Sequence, residues 1–288
     1  MNKTLYTVLA YLKLTKPIIT LSVSFSALTG FVLFSKAFSD GWLVVYLGVL
    51  LIAAGSSVIN QIQEADSDKL MERTRNRPIP TGIVGKKQAW LWAALLSVSG
   101  ALILGYQFNL LTSVLAVFTL LWYNGIYTPL KRITPWAILP GALVGAIPPA
   151  IGWVAAGGSL IHPHILFLSF FFFIGQIPHF WLILLRYGED YQKAGFPSIT
   201  STFNTEQISR LTFVWTTATA IAAVFLSVFG IIKSLTIAFI ILGLSLVLVI
   251  SFYKWPGIKR PALVNRAFMI MNLYFLLIML LIIADSIL

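Results

Sequence analysis

"GWLVVYLGVLLIAAGSSVINQIQEADSDKLMERTRNRPIPTG", residues 41–82, joins two stretches of opposite character. Its first 22 residues carry no charged side chain, which is the length an α-helix needs to cross a hydrocarbon core about 30 Å thick. Four carboxylates (Glu64, Asp66, Asp68, Glu72) and four basic residues (Lys69, Arg73, Arg75, Arg77) then follow before residue 78. The junction reads as a membrane span running out into a charged face.

The rest of the chain repeats this alternation. Of its 288 residues, 58% are hydrophobic and 10% charged, against about 25% charged in soluble domains. That excludes a soluble globular protein. It predicts an all-α polytopic membrane bundle, a single integral-membrane domain over residues 1–288 embedded in the lipid bilayer. Apolar runs predict nine transmembrane helices, near 18–36, 41–62, 88–106, 108–124, 134–156, 164–186, 210–231, 234–253 and 266–285. Short breaks such as "SKAFSDGW" and "GYQFN" read as tight hairpins. The N-terminus lacks the apolar core of a cleavable signal, so the first span is expected to be retained. Cysteine is absent, which excludes disulfides and thiolate ligands.

Charge orients the bundle. With the N-terminus in the cytoplasm, eighteen of the twenty Lys and Arg fall on inner segments, Lys254, Lys259 and Arg260 among them, and only Lys36 and Lys233 fall outside. The positive-inside rule then predicts a cytoplasmic N-terminus and an outer C-terminus. The net charge of +11 reports this topology, and no nucleic-acid partner is expected. Carboxylates contribute little to topology, yet seven of nine lie in two inner segments: Glu64, Asp66, Asp68 and Glu72, then Glu189, Asp190 and Glu206. Two acidic clusters on one face predict one shared site.

Asn60, Glu64 and Asp68 are spaced i, i+4, i+8, so on a helix continuing past the membrane surface they share one face. Three oxygen donors there form half a shell for a hard cation such as Mg²⁺, which takes one or two carboxylates plus waters and phosphate oxygens. Asp66 points elsewhere. Arg73 and Arg77 are again i, i+4, with Lys69 one turn earlier, and arginine forks match phosphate oxygens; "RPIP" is expected to end the helix. Glu189 and Asp190, in the loop after the sixth span, complete the metal shell, with Arg186 and Lys193 toward the phosphates. Lys131 and Arg132 lie on the same face and either contact diphosphate or serve topology. The whole reads as a Mg²⁺–diphosphate site. His179 lies inside the sixth span, where an ionisable residue is a functional candidate, as haem ligand, propionate partner or packing residue. His162 and His164 sit in an outer loop.

The motif N-x-x-x-E-x-x-x-D at Asn60–Asp68 resembles the first acidic motif, NxxxDxxxD, of the UbiA superfamily of intramembrane prenyltransferases. Within it the chain is most similar to the haem O synthase branch. The resemblance rests on "LTKPIITL" (14–21), "DKLMERTRNRPIPTG" (68–82), "YTPLKRITPWAILPGALVGAIPPAIGW" (127–153), "GQIPHFWLILLRYGEDYQKAGFP" (175–197) and "TEQISR" (205–210). It implies a nine-helix UbiA-like fold and Mg²⁺-dependent transfer of farnesyl from farnesyl diphosphate to a vinyl group of haem b. The catalytic residues would be Asn60, Glu64, Asp68 and Asp190, and the home a bacterial inner membrane. A haem A synthase-type enzyme would act downstream. Trp122, Tyr123, Tyr127, Trp153, Phe180 and Trp181 are candidate walls for the allylic cation, since aromatic faces attract cations. Two departures stand out: Glu64 replaces the usual Asp, and Ile18 follows "KP" where haem O synthases commonly carry Arg. A quinone-precursor acceptor remains an alternative. So does a transporter, against which stands the lack of an acid deep in any span.

Overall fold

The computed structural model describes residues 3–197, 203–253 and 261–288; Lys254, Lys259 and Arg260 lie outside them. Among the described residues all regular structure is helical: α1 (Lys3–Leu14), α2 (Pro17–Ser35), α3 (Trp42–Gln63), α4 (Ala65–Asp68), α5 (Lys86–Gln107), α6 (Leu110–Leu121), α7 (Thr128–Leu130), α8 (Ile138–Ala155), α9 (Pro163–Lys193), α10 (Thr205–Val228), α11 (Leu235–Phe252) and α12 (Pro261–Ile287). A π-helical turn, Trp122–Tyr127, joins α6 to α7, and a 3₁₀ turn, Pro135–Ala137, leads into α8. Nine helical spans among the described residues are long and apolar enough to cross a membrane. The chain is a multi-pass membrane protein.

Two boundaries differ from expectation. α9 runs 31 residues, to Lys193, about 46 Å at 1.5 Å per residue and well beyond a ~30 Å core. Glu189 and Asp190 therefore sit on its last helical turns, past a kink at Tyr187 (φ −124°, ψ 19°), and not in a loop. On the other side, the helix carrying the first motif ends at Asp68 instead of reaching "RPIP". Residues 69–84 are a chain of turns. Lys69, Arg73 and Arg77 thus share no helical face.

α1 is a further element that the apolar runs did not predict. Its twelve residues are too few to span. Ala10 and Leu14 are buried with Val58 and Ile62 of α3, while Leu5, Val8, Leu9 and Leu12 are exposed, the pattern of a helix lying in the membrane interface.

The central helices pack through small residues, because lipid offers no hydrophobic drive and close van der Waals contact must hold them together. α2 packs on α3 and α8, and α3 on α5. A Cβ on Gly152 would overlap the carbonyl of Ala27, and one on Gly30 that of Pro149, so α2 and α8 touch backbone to backbone. α8, α9, α10, α11 and α12 enclose the larger apolar core, centred on Phe171, Phe172 and Phe275. Gly152→Val is expected to force α2 from α8 at a cost of at least about 3 kcal/mol, the upper end for overpacking, visible as lost monodisperse protein and a lower Tm in detergent. Gly243→Ala, whose Cβ would meet nothing within 4 Å, should leave Tm unchanged or slightly raised.

Candidate active site

One end of the bundle gathers α3, α4, α7, the start of α2 and the end of α9 around one buried polar cluster. The break at Glu64 (φ −97°, ψ 2°) is slight. The Glu64 amide still donates to the Asn60 carbonyl at 3.0 Å, and the Asp68 amide to the Glu64 carbonyl at 2.7 Å. Asn60, Glu64 and Asp68 accordingly share a face, as expected, and are 1%, 5% and 0% exposed. Asp66 points outward to Lys69 and Lys86.

Each motif residue meets a partner. Asn60 Oδ1 accepts from Lys16 Nζ at 2.7 Å, and its Nδ2 donates to Thr128 Oγ1 at 3.2 Å. Glu64 pairs with Lys131. Arg77 Nη1 donates to Asp68 Oδ2 at 2.7 Å, whereas Asp68 Oδ1 is buried without a partner. Burial works to raise the Glu64 pKa, but Lys131, Lys16 and Arg77 outweigh it and hold the group below its ordinary value. For Asp68, burial wins over Arg77 and the pKa rises. Lys16 is brought down to about 7, by burial first and then by the Arg77 charge, with Glu64 opposing.

The second acidic segment reaches the first differently from expectation. Asp190 accepts from the backbone amides of Glu72 (3.4 Å) and Arg73 (3.2 Å), tying the turn segment to the end of α9. The Arg73 guanidinium stands 4.6 Å from the Tyr187 ring centre, and that of Arg186 4.9 Å. Arg132 donates to the Gln63 carbonyl at 2.6 Å. Glu189 and Lys193 are exposed, and Lys69 is turned outward to Asp66. No group of three or more His, Asp or Glu side chains is already assembled as a metal cage among the described residues.

Sequence reasoning missed Lys16. It counted toward topology, yet its left-handed backbone (φ 51°) at the head of α2 brings its amine to Asn60. The "KP" pair before the span was the available signal. Ile18, at the position of the absent Arg, is 84% exposed and faces away from the cluster. Also missed was the bracket behind the motif. Ser56 Oγ donates to Asn124 Oδ1 at 2.7 Å, Asn124 Nδ2 to the Ser56 carbonyl at 3.1 Å, and Gln63 Nε2 to the Asn124 carbonyl at 2.9 Å. The π turn carries Asn124, and such turns are frequent at functional sites.

A cavity opens beside the cluster. Lys16 and Thr20 from the start of α2, Ser56 and Ser57 from α3, and Tyr123 give it a polar end; Val23, Val49, Ala116 and Ile151 make the far end apolar. Tyr127 lies 5.4 Å from Tyr123 and 5.7 Å from Phe180, seated where Gly141 leaves room. Three proposed walls thus gather at the cluster. Trp153 does not: it packs at the opposite end of the bundle on His162 and Phe34. Trp181 is buried against Trp215, and Trp122 donates to the Pro140 carbonyl. His162 and His164 share that opposite end with Trp153. His179 faces Phe268 of α12, 4.9 Å away, with Nδ1 buried and unpartnered.

Oxygen donors on one helical face thus stand against Lys16, Arg77 and Lys131, with an apolar cavity alongside. Residues 23–277 match the UbiA prenyltransferase family. The chain belongs to that family. It is 37% identical to a protoheme IX farnesyltransferase of Geobacter sulfurreducens over 219 residues, 76% of this chain and 81% of that one. It is 43% identical to one of Cytophaga hutchinsonii over 190 residues, 65% of each. Among solved structures, a digeranylgeranylglyceryl phosphate synthase superposes with TM-score 0.77 at 16% identity, covering 98% of this chain and 99% of that one. A UbiA homologue from Archaeoglobus fulgidus bound to GPP and Mg²⁺ gives 0.66 at 16%, covering 96% and 99%. At these identities the structures establish the UbiA fold.

Asn124→Ala would leave Ser56 Oγ without its acceptor and remove the side-chain donor to the Ser56 carbonyl, a loss of about 1–3 kcal/mol, while Gln63 keeps the Asn124 backbone carbonyl. It is expected to lower Tm by several degrees in detergent.

Proposed function

We propose that this UbiA prenyltransferase transfers the farnesyl group of farnesyl diphosphate to a vinyl group of haem b, giving haem O. What carries the reading is the buried cluster of Lys16, Arg77 and Lys131 against Glu64 and Asp68, set at the polar end of an apolar cavity. The relatives named as protoheme IX farnesyltransferases support the choice of donor and acceptor.

The residues fit Mg²⁺. Asn60, Glu64 and Asp68 are hard oxygen donors, and the unpartnered Asp68 Oδ1 is a buried acceptor in want of a cation. These three would hold the ion, with Asp190 and the exposed Glu189 as further ligands from α9. Bound there, Mg²⁺ would neutralise charge gathering on the diphosphate as it leaves.

The remaining work falls to the chain. Arg77, Lys131 and Lys16 bind diphosphate oxygens, with Arg132 and Arg73 at the rim and Lys69 and Lys193 drawing anions from outside. The C–O bond between the allylic carbon and diphosphate breaks, and the leaving group keeps the electron pair. Tyr123, Tyr127 and Phe180 present ring faces toward the positive charge left behind, and the apolar cavity keeps water from it. The haem vinyl carbon forms the new C–C bond. Water then adds to the resulting cation and releases a proton, leaving a hydroxyethylfarnesyl side chain. His179, with its ring against Phe268, is proposed as the haem contact. The positive-inside distribution supports a cytoplasmic cluster and N-terminus, an outer C-terminus and a bacterial inner membrane. An enzyme of the haem A synthase type would consume the product.

Purified protein given farnesyl diphosphate, Mg²⁺ and haem b should yield hydroxyethylfarnesyl haem by mass spectrometry. Asp68→Asn should reduce the rate on the order of 100-fold, as loss of one charge-stabilising group does, and chelation should abolish it. Diphosphate binding without haem product would overturn the acceptor. Separately, haem titrated into the protein without farnesyl diphosphate should give a Soret shift that His179→Ala removes; an unchanged spectrum would make His179 a packing residue.

A further inference from the structure

Lys16 reaches the cluster from a strained place. Its backbone is left-handed (φ 51°, ψ 63°), a conformation that costs energy for any residue with a Cβ and persists only where the surroundings impose it. On one side the exposed Pro17 disfavours the right-handed helical alternative for the residue before it. On the other side, we infer that Gln61 imposes the turn and is thereby the positioning residue for Lys16. The inference rests on the proposed role of Lys16 at the diphosphate.

Asn60 and Gln61 are consecutive on α3 and divide the task. Gln61 Nε2 donates to the Leu14 carbonyl at 2.9 Å and to the Lys13 carbonyl at 3.4 Å. These end α1, where carbonyls have no amide of their own helix to meet. Asn60 Oδ1 accepts from the Lys16 amine at 2.7 Å. The chain just before Lys16 and the tip of its side chain are therefore fastened to neighbouring residues of one helix, and the left-handed backbone bridges the two points. Gln61 is 1% exposed and its Oε1 is buried without a partner. A leucine there would leave no such orphan, so what the amide contributes is its grip on the end of α1. Apolar contacts hold α1 beside it: Leu14 is buried with Val58, Ile62 and Ile79, and the Tyr11 ring meets Trp92 of α5 edge-on at 5.7 Å. The helix that spans nothing delivers the turn that carries Lys16. Without Gln61 the Leu14 carbonyl must rotate toward another donor, which changes the direction in which the chain enters Lys16.

The test uses the full chain and compares Gln61→Leu, Lys16→Met and the double variant, with Gln61→Asn, one methylene shorter in reach, where leucine does not fold. Farnesyl diphosphate with Mg²⁺ is titrated in the absence of haem. Gln61→Leu should weaken its binding about tenfold, the upper end for one hydrogen bond, and raise KM for farnesyl diphosphate alike while KM for haem b stays put. In the Lys16→Met background the same change should cost no further affinity, because a residue acting through Lys16 has nothing left to position. Unchanged affinity in Gln61→Leu, or the same loss with Lys16 already gone, would overturn the inference. Binding that shifts as expected while the wild type prenylates no haem would uphold the positioning role and overturn the acceptor instead. A wild type that binds no farnesyl diphosphate would overturn the donor, and the inference with it.

Discussion

Glu64 and Asp68 are carboxylates buried at the edge of a membrane bundle, and a buried carboxylate persists as an anion only where opposite charge meets it. That requirement organises this end of the bundle. Lys131 comes from α7, Arg77 from the irregular stretch 69–84, and Lys16 from the head of α2, each to the same helical face. The irregular stretch has no ladder of its own. It is held by Arg77 on the Asp68 carboxylate, by Thr74 on the Asp68 carbonyl, and by Asp190 on two of its amides. The two acidic motifs consequently play unequal parts in this state: the first gathers cations, and the second fixes the loop that delivers one of them.

Rigidity behind the cluster comes from a different interaction. The Ser56–Asn124–Gln63 bracket joins α3 to the π turn, so Asn60 and Tyr123 are set by one polar contact between two helices. Glycines on α2 and α8 allow the backbones of those two helices to meet, the close contact that holds helices together in lipid.

Much of this was legible in the sequence. Hydrocarbon thickness fixes span length, so nine apolar runs translated into nine spans among the described residues, and i, i+4, i+8 spacing placed Asn60, Glu64 and Asp68 on one face despite the slight break at Glu64. Spacing failed where the helix stopped. Asp68 satisfies Arg77 and Thr74 from beyond the helix end, a tertiary contact no local pattern reveals, so Lys69, Arg73 and Arg77 did not share a face. Lys16 was hidden for another reason: a lysine at a span boundary serves topology in most membrane proteins, and only its left-handed backbone turns it inward. Trp153 and Trp181 look like Tyr123 in composition, but Trp153 sits at the opposite end of the bundle, and Trp181, next to Phe180, is turned to another side of α9 against Trp215. The short α1 escaped because twelve residues fall below the length that marks a span.

The pairing within the cluster also bears on how ligands would enter it. Lys131 pairs with Glu64 and Arg77 with Asp68, while Lys16 stands on Asn60 and Asp68 keeps one unpartnered carboxylate oxygen. On the proposed reading, a diphosphate arriving alone would draw Lys131 and Arg77 from their carboxylates and leave those charges buried and unpaired, a cost of about 3–5 kcal/mol per broken pair. A divalent cation arriving alone would displace the same two basic side chains with nothing to receive them. Arriving together, the ligands replace every pair they break, since phosphate oxygens take the basic groups while the carboxylates take the metal. Each ligand then strengthens the other's binding by the same free energy, as linkage requires. The ion pairs of the empty cluster thus hold its charged groups in place, already desolvated, for the partners they are to exchange.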